Sequence, residues 1–418
     1  MVLLNKHIIV GICGGIASYK AVELVSRLQQ AGALVDVIMT EHAEEFVRPL
    51  TFSTMSHRPV YSDLWEPSGK AAETHIALAE EAELLAIVPA TANTIARLAY
   101  GMADNMLTAV ALATQAPLLL APAMYKEMYT HPATQANLRL LRERGATIVE
   151  PEVGRLASGA VGPGRLPETS VLIDAISVLL ERRSDLAGRR VVVTAGGTQE
   201  PIDPVRYVGN RSSGKMGYAL AAEARNRGAQ VTLISGPVAL EAPYGVEVRR
   251  VETALQMRDA VQAAIANADV LVMSAAVADF RPAAPLAHKL KKEGGGGAGE
   301  EFDEQGGFTL RLVRNPDILG ELAEADGQMG KEQPAKRLVR VGFAAETRNI
   351  VAYAQHKLIS KHLDLLVAND VSRADSGFGT DTNKVLIVHA TGETEDLPVM
   401  PKTGVAATIW DRIVPLLH

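Results

Sequence analysis

One pattern occurs twice in this chain and restricts its fold more than any other feature. The apolar run His7-Ile8-Ile9-Val10 enters a glycine-rich turn, Gly11-Ile12-Cys13-Gly14-Gly15. Residues 18–30 then carry apolar side chains at helical spacing, closed by Gly32. Arg190-Val191-Val192-Val193-Thr194-Ala195-Gly196-Gly197 starts the pattern again, with a helix predicted over 213–227 and a strand over 231–234. In the first copy, strands are predicted over 34–39, 84–88 and 118–121, each leading into a helix or turn. Strands alternating with helices demand helical crossovers between parallel strands. The predicted fold class is therefore α/β, with two doubly wound parallel-sheet domains.

The polar stretch Glu181-Arg182-Arg183-Ser184-Asp185 separates the copies, so the expected domains are 1–180 and 190–418, joined by a connector over 181–189. A length of 418 residues suits two such domains. Forty-two Lys+Arg against forty-eight Asp+Glu leave a net charge of −6, which argues against nucleic acid. No apolar run approaches about 18 residues and the N-terminus lacks a signal-peptide layout, so a cytoplasmic protein is expected, not a membrane or secreted one. A single cysteine, Cys13, excludes an internal disulfide and a Cys-rich metal site. Two segments, 294–307 and 326–336, are predicted loops.

The chemistry-bearing residues cluster where predicted strands end. A glycine turn opening a helix presents backbone N–H groups and a positive dipole end to an anion, so Gly14 and Gly15 suit a phosphorylated ligand. The second strand ends at Thr40 and not at an acid placed to grip a ribose, which weighs against NAD. Pro89-Ala90-Thr91-Ala92-Asn93-Thr94 and Pro122-Ala123-Met124-Tyr125 put hydroxyls and an amide after later strands, and His75 precedes a helical run. In the second half, Ser212-Ser213-Gly214-Lys215 opens a helix, but Met216 breaks the P-loop pattern. Ser274-Ala275-Ala276-Val277-Ala278-Asp279 ends a strand in small residues, with Asp279 able to meet a sugar hydroxyl or a metal. Lys289, Lys291 and Lys292 form a basic run. Lys357 and Lys361 share a helix face, with no acidic partner evident in the sequence, and suit an anionic ligand such as a triphosphate.

GGIASYK, the Thr74-His75 pair, PATANT, APAM-x-x-x-MY and GPGRL, in that order, resemble the flavin-dependent cysteine decarboxylases. TAGGTxE, DPVRYVGNRSSGKMG, SAAVADF, KLKK, NPDIL, GFAAET and LVANDV resemble the phosphopantothenate–cysteine ligases. Together they cover nearly the whole chain and resemble the bacterial bifunctional phosphopantothenoylcysteine decarboxylase/phosphopantothenate–cysteine ligase family. That resemblance implies an N-terminal flavodoxin-like flavoprotein and a C-terminal Rossmann-like nucleotide-binding ligase.

For the first half it implies FMN at a trimer interface, near Gly14, Gly15, Ser18, Thr40, Thr91 and Asn93. Met124 and Tyr125 would contact the substrate, 4'-phosphopantothenoylcysteine, with His75 as catalytic histidine and residues 154–166 as a flap. For the second half it implies joining of 4'-phosphopantothenate and L-cysteine through an acyl-cytidylate made from CTP. Asn210 would turn over that intermediate and Lys289 would meet its developing charge. CTP would lie on Ser212, Ser274, Ala275, Ala276, Asp279, Lys289, Pro316, Asp317, Ile318, Leu319, Phe343, Lys357 and Lys361, with Mg2+ on the phosphates and Asp279. Trimeric and dimeric contacts combined would generate a homo-oligomer, a dodecamer.

Two positions depart from the family pattern. Tyr125 stands where Asn is common, and Ser158, in Ala157-Ser158-Gly159, stands where the family has a proton-donating Cys. A thiol ionises near about 8.5, whereas an alkyl alcohol is a far weaker acid. Two alternatives therefore stay open on the sequence. One is an active ligase carrying an FMN-binding scaffold with impaired decarboxylation; the other is a tandem dinucleotide-binding oxidoreductase.

Overall fold

A computed structural model of the chain describes residues 3–65, 74–180, 184–290, 309–328, 337–346, 350–370 and 379–417. Two compact units result, Met1–Arg182 and Arg183–His418.

The first unit holds β1 (His7–Ile12), β2 (Leu34–Met39), β3 (Val60–Tyr61), β4 (Leu84–Ala90), β5 (Leu118–Pro122) and β6 (Thr147–Ile148) in one sheet, ordered β3-β2-β1-β4-β5-β6. Every neighbouring pair is parallel. Without the two-residue edge strand β3, the order is that of flavodoxin. β4 is buried at every position, as a strand covered on both faces must be. The helix Ser18–Gln30 buries Ala21, Leu24, Val25 and Leu28, an i, i+3, i+4, i+7 stripe, against that sheet. The expected flap is an antiparallel hairpin, β7 (Glu152–Arg155) and β8 (Val161–Arg165).

The second unit is built on β9 (Arg190–Ala195), whose end leads to a small hairpin of β10 (Gln199–Pro201) and β11 (Tyr207–Gly209). Next come β12 (Gln230–Ser235), β13 (Glu247–Arg250) and β14 (Val270–Met273), then a second antiparallel pair, β15 (Phe280–Pro282) and β16 (Leu312–Arg314). They are followed by β17 (Val339–Glu346), β18 (Leu365–Asp370), β19 (Thr382–Asn383), β20 (Val385–His389), β21 (Thr394–Asp396) and β22 (Met400–Pro401). The main sheet runs β13-β12-β9-β14-β17-β18-β20-β21, parallel as far as β18. β20 and β21 then extend it antiparallel, an addition the strand–helix pattern does not forecast because a hairpin needs no crossover helix. Its core joins Val191, Val193, Val272, Val341 and Val367 to the fully buried Trp410, whose indole N–H donates to the Leu220 carbonyl at 2.9 Å.

Some boundaries differ from expectation. The helix predicted over 213–227 spans Lys215–Asn226, because Gly214 takes φ +77 and stops the helix from extending backward. The loop predicted over 326–336 begins inside the helix Ile318–Gln328; its remainder, and the segment 294–307, lie outside the described residues. Leu186, inside the expected connector, is buried in the second core. Among the described residues no helix is long and apolar enough to cross a membrane.

Candidate functional site

Each unit has its own cavity, and each lies at the carboxyl ends of its parallel strands, where the strand order reverses and two loops diverge. The first, about 1150 Å³, is lined by Gly14 and Gly15 after β1, Thr40 after β2, and Thr91, Asn93 and Arg97 after β4. Met124, Tyr125 and the flap residues Arg155 and Ser158 complete it. The glycine turn packs tightly: a Cβ on Gly14 would fall 2.4 Å from the His42 Cβ. Thr91 caps the helix Ala92–Tyr100, accepting from the Thr94 amide. Thr40 Oγ1 is buried and has no hydrogen-bond partner among the described residues, although its residue faces the cavity. An orphaned hydroxyl beside a glycine turn fits a phosphorylated ligand that arrives to satisfy it.

Ser18 and His75 are not among the lining residues. The Ser18 hydroxyl donates to the Gly15 carbonyl at 2.7 Å and shapes the turn from behind. His75 is half-buried near the start of the helix Thr74–Glu81. Cys13 is buried under Thr91 and Thr94. Burial pushes its thiol above the ordinary range, only partly offset by hydrogen bonds from those two residues, so it is not poised to ionise. Ser158 sits exposed at the hairpin tip. The flap is held against the Met124–Lys126 segment: the Met124 amide donates to the Gly164 carbonyl at 3.1 Å, and Gly164 adopts φ +136.

The second cavity, about 980 Å³, is lined by Asn210, Ser212, Ser274, Ala275, Ala276, Asp279, Pro316, Asp317, Ile318, Leu319, Phe343, Lys357 and Lys361. The backbone of 275–278 is fastened from several sides. Thr194 Oγ1 accepts from the Ala275 amide at 3.1 Å and Thr198 Oγ1 from the Ala278 amide at 2.9 Å. Asn210 Nδ2 donates to the Ala276 and Val277 carbonyls at 3.3 and 3.1 Å, and Asn315 Nδ2 to the Ala278 carbonyl at 2.8 Å. Small side chains on a fixed backbone let a flat ligand lie directly on the main chain.

One charge expectation is corrected. Lys361 is not free of acidic partners: its Nζ lies 3.0 Å from Asp317 Oδ2. Asp317 also accepts from the Gly320 amide at the start of the helix Ile318–Gln328. Helical spacing could not reveal a partner 44 positions away. Lys289 is exposed and is not among the residues lining this cavity.

The sequence reading missed Lys402. It is nearly buried, lines the cavity and donates to the Thr380 and Thr382 carbonyls at 2.5 and 3.1 Å. Burial and the nearby Lys215 charge lower its pKa, against the opposing pull of Asp381. No local motif surrounds Lys402, so no sequence signal marks it. Among the described residues no group of three or more His, Cys, Asp or Glu gathers to hold a metal.

Two family models divide the chain as the two units do. Flavoprotein matches residues 2–181, and the DNA/pantothenate metabolism flavoprotein C-terminal domain matches 186–416. The coenzyme A biosynthesis bifunctional protein CoaBC of Bacillus subtilis (strain 168) is 46% identical over 415 residues, 99% of this chain and 97% of that protein. Its namesake in Escherichia coli (strain K12) is 42% identical over 414 residues, 99% of this chain and 98% of that protein. A crystal structure of the C-terminal domain of a CoaBC protein is 38% identical, covering 56% of this chain and 98% of its own, with a TM-score of 0.44. Two family matches in series and full-length relatives above the 40% level lead to one conclusion: the chain belongs to the CoaBC family of bifunctional coenzyme A biosynthesis proteins.

Proposed function

We propose that the chain performs two consecutive steps of coenzyme A biosynthesis, one in each domain. The 190–418 domain joins 4'-phosphopantothenate to L-cysteine with CTP. The 1–180 domain decarboxylates the resulting 4'-phosphopantothenoylcysteine to 4'-phosphopantetheine. The observation that carries this reading is the pair of separate cavities, each walled by polar groups at the carboxyl edge of its own parallel sheet.

In the second domain, the fixed 275–278 backbone and Phe343 take the nucleotide, while Lys357, Lys361 and Ser212 meet its phosphates. Lys361 exchanges Asp317 for phosphate oxygen. With Asp279 the acidic side chain expected to hold it, Mg2+ would take most of its ligands from phosphate oxygens and water. Asn210 uses its N–H groups on the 276–277 carbonyls, leaving Oδ1 to face the acyl intermediate.

In the first domain, Gly14, Gly15, Thr40, Thr91 and Asn93 would hold FMN, with Ser18 bracing the turn. FMN supplies reversible two-electron oxidation of the cysteine end of the substrate. Tyr125 and Met124 orient that substrate, and the flap covers it, with the Ser158 hydroxyl available to relay a proton. His75 and Lys289 reach their cavities in the assembled homo-oligomer, through trimeric contacts of the first domain and dimeric contacts of the second. Ile16 and Tyr19, each 60% exposed at the rim of the first cavity, are apolar surface that such a contact would cover. Charged phosphate-ester substrates suit a cytoplasmic enzyme.

The test is stepwise. Purified protein given Mg2+, CTP and 4'-phosphopantothenate should release pyrophosphate before cysteine is added, then form the amide, CO2 and 4'-phosphopantetheine. His75→Asn should abolish CO2 release and spare pyrophosphate release. Equal turnover with ATP refutes the nucleotide assignment; tight NADH binding without flavin absorbance refutes the flavoenzyme.

A further inference from the structure

The segment that carries Lys289 is tied to the loop between β10 and β11 by one buried carboxylate. The Asp203 side chain is 0% exposed. Its Oδ1 accepts from the amides of Val205 and Arg206 at 2.7 and 2.8 Å. Its Oδ2 accepts from Arg206 Nη1 and from the Leu290 amide, both at 3.1 Å. Arg206 Nη2 then donates to the Leu290 carbonyl at 3.1 Å. One Asp–Arg pair therefore grips both backbone groups of the residue next to Lys289. Four residues earlier, the Leu286 amide donates to the Ile202 carbonyl at 2.8 Å, a second anchor on the same loop.

Burial opposes ionisation of Asp203, but the amides of Val205, Leu290 and Arg206 and the Arg206 charge outweigh it and hold the carboxyl below its ordinary range. The clamp is thus ionic at neutral pH. Its loop continues through β11 directly into Asn210, on the wall of the second cavity. Among the described residues the Lys289 side chain, which is exposed, has no hydrogen bond or ion pair that would set its place. Its position is inherited from the backbone on either side.

We infer that Asp203 is a positioning residue for Lys289, fixing the 286–290 segment against the loop that leads to the ligase cavity. This rests on the ligase reading above. Displacing a reacting group by about 1 Å can slow turnover by about 10²-fold. Asp203→Asn turns an amide toward N–H donors, and Leu290→Pro removes the strap's own N–H while leaving the buried carboxylate intact.

Both variants, and each combined with Lys289→Ala, are compared for CTP-dependent pyrophosphate release. Each single variant is expected to lower kcat by about 10-fold or more, and neither should slow Lys289→Ala further, because residues acting through one group are not additive. CO2 release from 4'-phosphopantothenoylcysteine by the same preparations should match the parent. Should Asp203→Asn fail to fold, Leu290→Pro alone decides. Multiplicative losses, or parental kcat in Leu290→Pro, overturn the inference. An inactive parent overturns the ligase reading and the inference with it.

Discussion

Arg227 is a buried cation whose removal should destabilise the second unit without touching its cavity. Its side chain is 1% exposed. Nε meets Glu223 at 2.8 Å, Nη1 meets Asp185 at 3.3 Å, and Nη2 meets Asp411 at 2.7 Å. Nη2 also donates to the Ala407 carbonyl at 2.9 Å. The guanidinium thereby ties the start of the unit, the helix Lys215–Asn226 and the C-terminal helix Lys402–Ile413 to one point. Replacing Arg227 by Met keeps much of the volume and strands three carboxylates. Breaking a fully buried pair costs about 3–5 kcal/mol. Here Asp185 and Asp411 are 35% and 46% exposed and can rehydrate, while Glu223, at 16%, mostly cannot. The low end, about 3 kcal/mol, is the expected loss. For a unit of this size that corresponds to roughly 6–12 °C in Tm. Calorimetry of the full chain reads it as the transition that moves in the variant while that of the first unit stays in place. Arg227→Lys should retain part of the stability, since a point charge cannot reach all the partners. A shift below about 2 °C for Arg227→Met would show that the cluster is already solvated, refuting the reasoning.

Thr40→Val removes the orphaned hydroxyl without changing shape. The ligand-free protein should be no less stable, while FMN binding, followed by quenching of flavin fluorescence, should weaken by about 10-fold or more, one hydrogen bond to a charged group. Unchanged affinity would mean that the hydroxyl does not meet the cofactor. Gly164→Ala puts a Cβ 2.1 Å from the Met124 carbonyl at a φ of +136, so the flap must leave that segment. CO2 release should fall steeply with pyrophosphate release intact, and equal loss of both would point to general misfolding. Glu395 carries a lowered pKa because of its hydrogen bonds to Arg412, despite some burial. A depressed carboxyl contributes stability above its unfolded pKa and loses it as pH falls through the folded one. Glu395→Gln should therefore flatten the acid side of the stability–pH curve; an unchanged curve rules out the pair as a source of acid sensitivity.

Much of the site was legible because it lies on strand ends and helix starts. Gly14, Thr40 and Thr91 follow β1, β2 and β4 directly, and doubly wound sheets gather such positions at one edge. In the second half Ala275 and Asp279 stand in the segment after β14 in the same way, whereas Phe343 lies within β17. Lys402 and the Asp317–Lys361 pair were not legible. Their partners come from segments distant in sequence, and no periodicity links position 317 to 361 or 402 to 380.

By itself, the sequence determined the class of fold, the repetition of one strand–turn–helix plan, and which residue types stand at its loops. Local pattern suffices for those, since hydrophobic period and glycine placement act within a few residues. Tertiary structure decided which polar groups are already spoken for. It left Thr40 unsatisfied, tied the Ser18 hydroxyl to the Gly15 carbonyl of the glycine turn, set Asp203 to grip the 286–290 segment, and kept His75 and Lys289 out of the cavity linings of a single chain. Satisfaction of a buried donor or charge depends on what the chain brings within about 3 Å, and packing alone sets that distance.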